Sequence, residues 1–567
     1  MEVVEVLIGV QHAPQPSSLC MSEQNIALRG IQPSVATEPI AVPNEQPGPT
    51  ATCTDAPTAS NSLTWLELLK WAASFPAMLG MLLVGRIFYE ARGFNIDPDM
   101  WWHIKVGGDI FRTHHWPTID PYSWTAAGTP WIAYEWLGEI PLYLAHSVSG
   151  RLGGVVALDL FLIVFSSVIM LAVYGLAATR SANSKAGFVS ALFLASLAFG
   201  NFSLRPQMFG FFFLVLTLLV MEKFRQGVSW PLWTLPFMFL LWVNTHGSFI
   251  IGIGVIVLYL LAGLFSFHKG SVEAIAWTRS QRIKLETALL LCVAVLPITP
   301  YGTQLAVYPF DMAFSQPINV ANISEWKPMP FDIVGGKMFL AFVVIFFVLQ
   351  MFFRFTWRLE ELVLALGGAV MACIHVRFVL LFVPFFAPVL ATSLARFIPA
   401  YKRHKDLFLA NAVIMAGVLV AMVHYFPSRA DLDKRVAKDY PVGALEYMRT
   451  HDVSRRMLND YGFGGYLVLS GEKTFIDGRG DLYERNGILG DFVHFANLKP
   501  GSLQVIRRYG VEACLLQHDT ALVTALLASP EWEEIYHDGT SAILVHRSAA
   551  AVNASPAKAA TLDSVAP

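Results

Sequence analysis

The 567 residues carry 40 Lys and Arg against 42 Asp and Glu, a formal net charge of −2, with 55% hydrophobic and only 14% charged positions. A soluble globular protein has roughly 25% charged residues, and the mean hydropathy here is +0.51, so an ordinary soluble fold is excluded. No basic face is concentrated enough to neutralise a phosphate backbone, which excludes a nucleic-acid partner.

In chain order, residues 1–65 are rich in Pro, Ser, Thr and Ala and lack both periodicity and a charged segment ahead of an apolar core. They read as a disordered cytoplasmic tail, not a signal peptide. Between Trp71 and Val423 apolar stretches recur, many reaching or approaching the ~20 residues that span a bilayer. Spans are predicted at Trp71–Tyr89, Gly153–Ala178, Ala186–Gly200, Met208–Met221, Trp230–Val243, Ile250–Phe265, Leu289–Ile298, Phe339–Phe353, Leu362–Ile374, Phe378–Leu394 and Leu407–Val423. That is about eleven helices, several short enough to be re-entrant, in an all-α polytopic membrane region over 66–428.

Orientation has an independent marker. Lys and Arg collect in alternate breaks: Arg180 and Lys185, Lys223 and Arg225, Lys269 to Lys284, Arg354 and Arg358, and Arg396 to Lys405. Such breaks face the cytoplasm, so the N-terminus is inside. The other set (90–152, 201–207, 244–247, 300–337 and 375–377) then lies outside, together with everything after the last span. Residues 429–548 turn ordinary in composition and alternate helical stretches (Gly443–Arg449, Ser502–Tyr509, Thr520–Leu527) with strand-like runs (Lys473–Ile476, Val511–Leu516, Ser541–Val545). This predicts a small soluble C-terminal α/β domain, followed by a disordered tail at 549–567. The five cysteines form no C-x-x-C pair and read as structural.

Chemistry-bearing residues concentrate on the outer set. Asn95-Ile-Asp97-Pro-Asp99-Met-Trp101-Trp102-His103-Ile-Lys105 opens the first external loop. Pro98 starts a helix, which makes Asp97 either an N-cap or one of two functional carboxylates, and the paired tryptophans suit a headgroup layer. Glu135 and Glu139 share one helical face amid aromatics, as on a helix lying along a membrane surface; for Glu139 the expectation is a solvated edge. Asp159, inside the second span, needs a partner or a polar cavity. Outer cations are Arg205, His246, His375 and Arg377, and an arginine fork suits a phosphate; either arginine also fits snorkelling to headgroups. Asp477, Arg479 and Asp481 cluster after Phe475-Ile476 and form either a ligand loop or a local ion-pair network, the second being the expectation.

The words Asp-Pro-Asp-x-Trp-Trp-His-x-Lys-x-Gly, Trp242-x-Asn244-x-His246-Gly247, Pro300-Tyr-Gly302, Glu325-Trp326-x-Pro328 and Phe475-Ile-Asp477-Gly-Arg479-x-Asp481-Leu-Tyr483 resemble a bacterial branch of the GT-C superfamily of membrane glycosyltransferases. That superfamily includes protein mannosyltransferases, aminoarabinose transferases and the RgtA/B/C/D-like group. The resemblance implies a multi-pass protein of the bacterial cytoplasmic membrane that takes a sugar from a polyprenyl-phosphate donor and passes it to an envelope lipid, glycan or protein. It differs from many members in having Asp97-Pro-Asp99 where they carry adjacent Asp-Glu.

A single displacement needs a base for the acceptor's proton and cations for the departing phosphate. Asp99 is the first choice of base with Asp97 close behind, and His103, one turn on, orients it or touches phosphate. Arg205, Arg377, His246, His375, Glu325, Trp326, Glu135 and Trp102 form the substrate-binding set. Asp97, Asp99 and Glu325 offer hard oxygens suited to a divalent metal, though no metal site is assigned. Two other functions fit the same chain. A transporter or flippase of lipid-linked glycan places functional polar groups near the bilayer midplane, where Asp159 lies; a non-catalytic envelope scaffold tolerates neutral residues at 97 and 99.

Overall fold

The computed structural model describes residues 65–93, 97–198, 202–322, 324–353, 355–454 and 456–547. The expected tails, apart from Trp65, lie outside the described residues, as do Cys20, Cys53, Asn95 and Arg354. Trp65–Ala72 (α1) is a short helix belonging to a separate unit.

From Ala73 onward the chain forms one unit. Its helices are Phe75–Ala91 (α2), Pro98–Thr113 (α3), Trp136–Ser147 (α4), Val155–Ser181 (α5), Ser184–Ala198 (α6), Gln207–Arg225 (α7), Leu235–Val243 (α8), Phe249–Ala262 (α9), Arg279–Ala294 (α10), Gln304–Ser315 (α11), Pro317–Asn322 (α12), Val334–Phe353 (α13), Leu359–Ile374 (α14), Val379–Leu394 (α15) and Phe408–His424 (α16). Helices α5, α6 and α15 pack together around a core that includes Leu162, Val173, Ala191, Phe382 and Phe386. By length and composition, four segments suffice to cross a membrane: Val155–Ser181, Gln207–Arg225, Val334–Phe353 and Val376–Leu394. The number rises to six if α2 and α16 are each counted with the helix next to them. On α13 only 17% of the apolar window is buried, and Val344, Ile345, Val348, Met351 and Phe352 face outward. A continuous apolar exterior of this kind needs a lipid solvent.

The two sets of breaks separate in space. Arg180 pairs with Glu361, Arg225 with Glu360 at 2.9 Å and Arg358 with Glu222 at 2.7 Å, all at one end of α7. Arg205 and Gln207 stand at the other end. Helix α7 has 19 residues, about 28 Å of rise, close to the ~30 Å hydrocarbon thickness of a bilayer.

The C-terminal part holds Arg429–Asp439 (α17), Val442–Thr450 (α18), Gly464–Ser470 (α19), Gly480–Arg485 (α20), Ile488–Ala496 (α21), Leu503–Tyr509 (α22) and Ala521–Leu527 (α23). They accompany a four-stranded mixed sheet of Met457–Asn459 (β1), Ala513–Gln517 (β2), Trp532–His537 (β3) and Ser541–His546 (β4) in the order β1-β2-β4-β3. Two of its strands, β2 and β4, are the predicted ones. Lys473–Ile476 is not a strand: the Asn459 side chain takes the place of a ladder, accepting from the Phe475 N–H at 2.8 Å and donating to the Ile476 carbonyl at 2.7 Å. Strands β1 and β3 went unpredicted because β1 is only three residues long and β3 carries a register shift at Glu534/Tyr536 that breaks its alternation.

Candidate active site

Helix α3 begins as its sequence dictates. Asp97 is the N-cap, accepting from the Asp99 N–H at 2.9 Å, and Pro98 occupies the first turn, where its missing N–H costs nothing. Asp99 therefore projects from the first turn of a fixed helix. Further along, Gly107 leaves room for the Glu139 carbonyl and Gly108 for the Tyr143 ring; a Cβ at either would collide. This close approach brings α4 onto α3 and sets Glu135 and Glu139 against His103.

Two polar clusters result. In the first, Arg205 gathers Asp97 (3.2 Å), Asp99 (2.9 Å) and Glu325 around its guanidinium. In the second, His103 Nδ1 lies 3.0 Å from Glu139 and its Nε2 3.6 Å from Glu135, while His246 Nε2 lies 3.3 Å from the other Glu135 oxygen. Tautomers follow from these contacts. Ser248 donates its backbone N–H to His246 Nδ1 at 3.0 Å, so the proton of His246 sits on Nε2, toward Glu135. Burial holds the Glu139 carboxyl well above its usual range and His103 well below. A protonated Glu139 donating to Nδ1 directs the His103 Nε2–H toward Glu135 as well.

The remaining shifts share one main cause, loss of water. Burial pushes Asp99 up to about 7, with Asp97 adding to the rise and Arg205 opposing it. Asp97 is raised by burial against the pull of Arg205. Glu135 rises to about 8 by burial, opposed by Arg205 and Arg377, and His246 falls to about 3 by burial and then by those same arginines.

Both clusters open on one cavity of about 660 Å³. Its polar end is lined by Asp99, Trp102, His103, Glu135, Arg205, His246, Glu325 and Arg377, with Trp326 and His375 beside them; its other wall is apolar and drawn from α9, α14 and α15, including Ile250, Val363, Met371, Leu381 and Phe385. Arg377 lies over the Trp326 ring at 4.4 Å and donates to Gln207 at 3.3 Å. Among the described residues it makes no ion pair with a carboxylate, which leaves its charge for a ligand. His375 is turned to the Trp326 carbonyl through Nδ1.

All eleven predicted site residues thus meet around this cavity, Asp97 through its bond to Arg205. Two expectations are corrected. Glu139 is fully buried, not a solvated edge, because α4 packs against α3 instead of lying alone on a surface. Trp101 and Trp102 are buried too, Trp101 edge-on to Tyr440 and Tyr466 at 5.3 and 5.0 Å. His103, one turn from Asp99, pairs with the glutamates and lines the cavity. Asp159 finds its partner in the Gly93 N–H at 2.8 Å, at the end of α2. Asp97, Asp99 and Glu325, the hard oxygen donors, each give one oxygen to Arg205. The described residues with metal-like spacing are His518, Glu534 and His537, at the sheet and outside the cavity.

The C-terminal part forms the roof, through Tyr461, Gly478, Gly480 and Asp481. Arg479, fully buried, bonds Asp477 at 2.7 Å and Asp120 at 2.6 Å, and the Tyr483 hydroxyl donates to Asp477 at 2.6 Å. Of the three residues expected to form an ion-pair network, Asp477 and Arg479 pair while Asp481 stays outside, and through Asp120 the network fastens that loop to the first external segment. The same loop lays Gly478 on Asp99 and Trp102, and Gly480 on Asn319, with no space for a Cβ at either. Gly478→Ala is expected to lower turnover roughly tenfold, part of the ~10²-fold that a 1 Å misplacement of a reacting group can cost. Steady-state kinetics check this, with thermal denaturation expected to show a modest loss of stability from the overpacked contact.

No protein-family profile matches the sequence, and no curated protein matches it. Solved structures do resemble the fold. The oligosaccharyltransferase of Archaeoglobus fulgidus, tethered to an acceptor peptide containing the NVT sequon, is 13% identical with a TM-score of 0.44, covering 77% of this chain and 68% of its own. The same archaeon's AglB, in complex with an inhibitory peptide and a dolichol-phosphate, is 12% identical with a TM-score of 0.45, covering 80% and 70%. ArnT from Cupriavidus metallidurans, bound to undecaprenyl phosphate, is 13% identical with a TM-score of 0.40, covering 85% and 97%. At such values these likenesses bear on neither activity nor substrate, which rest on the site itself.

Proposed function

We propose that this chain is a GT-C-type membrane glycosyltransferase, with about eleven helices in or across the membrane, that moves a sugar from a polyprenyl-phosphate donor to an envelope lipid, glycan or protein. The observation that carries this reading is the form of the cavity: a buried charged end continuous with an apolar wall, as a charged headgroup on a long hydrocarbon chain requires. The Lys/Arg-rich end of α7 faces the cytoplasm, so the reaction takes place on the extracytoplasmic side, where the C-terminal part roofs the site.

In the reaction, Asp99 takes the proton of an acceptor hydroxyl as that oxygen bonds the anomeric carbon. The bond from that carbon to the phosphate oxygen breaks, and the phosphate leaves with the electron pair beside Arg377. Arg205 keeps the acidic residues ionisable at all. A pKa near ambient pH suits a base, and here burial supplies it. Asp99 must be deprotonated to act, so kcat/KM is expected to climb with pH through about 7 and level off above it. Initial rates between pH 5.5 and 8.5 test this; a rate that falls across that range contradicts it. A transporter is disfavoured because the polar clusters sit at one end of α7 and not at its middle.

A further inference from the structure

Beyond the acidic clusters, two residues of the cavity wall each carry a buried oxygen that accepts nothing among the described residues. Asn319 is 3% exposed and Asp481 4% exposed, and in each Oδ1 has no hydrogen-bond partner among the described residues. Buried acceptors are nearly always satisfied, so such a pair asks for a ligand. Neither is loosely placed. Asn319 donates its Nδ2 to Gln316 at 2.9 Å, which fixes the amide so that the carbonyl oxygen is the free atom. Its backbone N–H donates to Glu484 at 2.7 Å, and Glu484 stands on α20 with Asp481. One short helix therefore supplies the first acceptor and pins the second. Near them, the Tyr134 and Tyr308 rings stack at 4.0 Å and 20°, and all four residues line the cavity that holds Asp99 and Glu135.

We propose that Asp481 and Asn319 form a carbohydrate subsite. Both are pure acceptors at the free atom, so the groups they take are donors; a sugar presents several hydroxyls together, and the tyrosine pair offers an aromatic wall for the ring's C–H face. This assignment rests on the transferase reading and specifies which part of the substrate the C-terminal region recognises. The hydroxyls belong either to the sugar on the donor lipid or to a glycan acceptor.

The full-length protein in nanodiscs is titrated with bare polyprenyl phosphate, with its mannosyl, glucosyl and arabinosyl phosphodiesters, and with maltotriose and chitotriose. The same series is run on Asp481→Asn and Asn319→Leu. Wild type is expected to bind at least one sugar-bearing probe more tightly than its sugar-free counterpart, and each variant to lose about tenfold of that preference while its affinity for bare polyprenyl phosphate stays unchanged. Retained phosphate binding also certifies that a variant is folded. A loss confined to the lipid-linked probes assigns the subsite to the donor, and a loss confined to the free oligosaccharides assigns it to the acceptor. A sugar preference that survives in both variants overturns the subsite and leaves the transferase reading intact. Failure of wild type to bind any polyprenyl phosphate overturns the transferase reading instead.

Discussion

Asp99→Asn is expected to lower the transfer rate by about 10²–10⁴-fold, the usual worth of a positioned general base, without unfolding the protein. Asparagine matches aspartate in shape and still accepts from the Trp102 indole, whose Nε1 lies 3.3 Å from Oδ1. Arg205 keeps Asp97 and Glu325, so the local charge balance survives in part. What disappears is the capacity to hold the acceptor's proton. The loss should fall on kcat, since Asp99 acts on the transition state and not on the lipid chain. Asp97→Asn makes the informative contrast. Asparagine caps a helix about as well as aspartate, and position 97 touches Arg205 without lining the cavity, so its effect should be clearly smaller. Equal losses at both positions would move the base away from Asp99.

Arg205→Ala is the second large effect. Removing the guanidinium leaves Asp97, Asp99 and Glu325 facing one another without a cation, and breaking a buried ion pair from one side costs about 3–5 kcal/mol. The variant should melt at a lower temperature in detergent and turn over far more slowly. Its pH dependence has a definite sign. Carboxyls whose folded pKa is raised bind more protons in the folded state than in the unfolded one, so their folded state loses stability as pH rises through that pKa. Without Arg205 the pKa values of Asp97 and Asp99 climb further, and part of the lost stability should return as the buffer is taken from pH 8 to pH 5. Arg205→Lys restores the charge but not the three-way fork, and should recover stability better than rate. A melting temperature indifferent to Arg205→Ala at every pH would mean that the three carboxylates are not held by this residue.

Much of this was legible in the chain. Apolar runs marked the helices, the alternation of Lys and Arg sorted the breaks into two sets, and those sets come together at opposite ends of α7. Arg205 and Glu325 are 120 positions apart, yet membership of the same set was enough to place both at one site beside Asp99. What the chain could not show was burial created by packing. Glu139 is polar and sits between apolar neighbours, so on a lone helix it belongs to the wet face; only the Gly107 and Gly108 approach of α3 turns it inward. The roof was hidden for a similar reason. Phe475–Tyr483 stood out as a word, and its Asp477–Arg479 pairing was readable locally, but that Gly478 rests on Asp99, hundreds of residues away, depends on the Arg479–Asp120 bond, which no periodicity encodes.

The most direct test of the central claim is a mass-spectrometric profile of envelope glycolipids and glycans from cells with the intact protein, cells lacking it, and cells carrying Asp99→Asn at matched expression. A transferase predicts that one glycan loses a single sugar in both defective strains, the mass difference identifying that sugar. A profile altered by deletion but untouched by Asp99→Asn would contradict catalysis at this site.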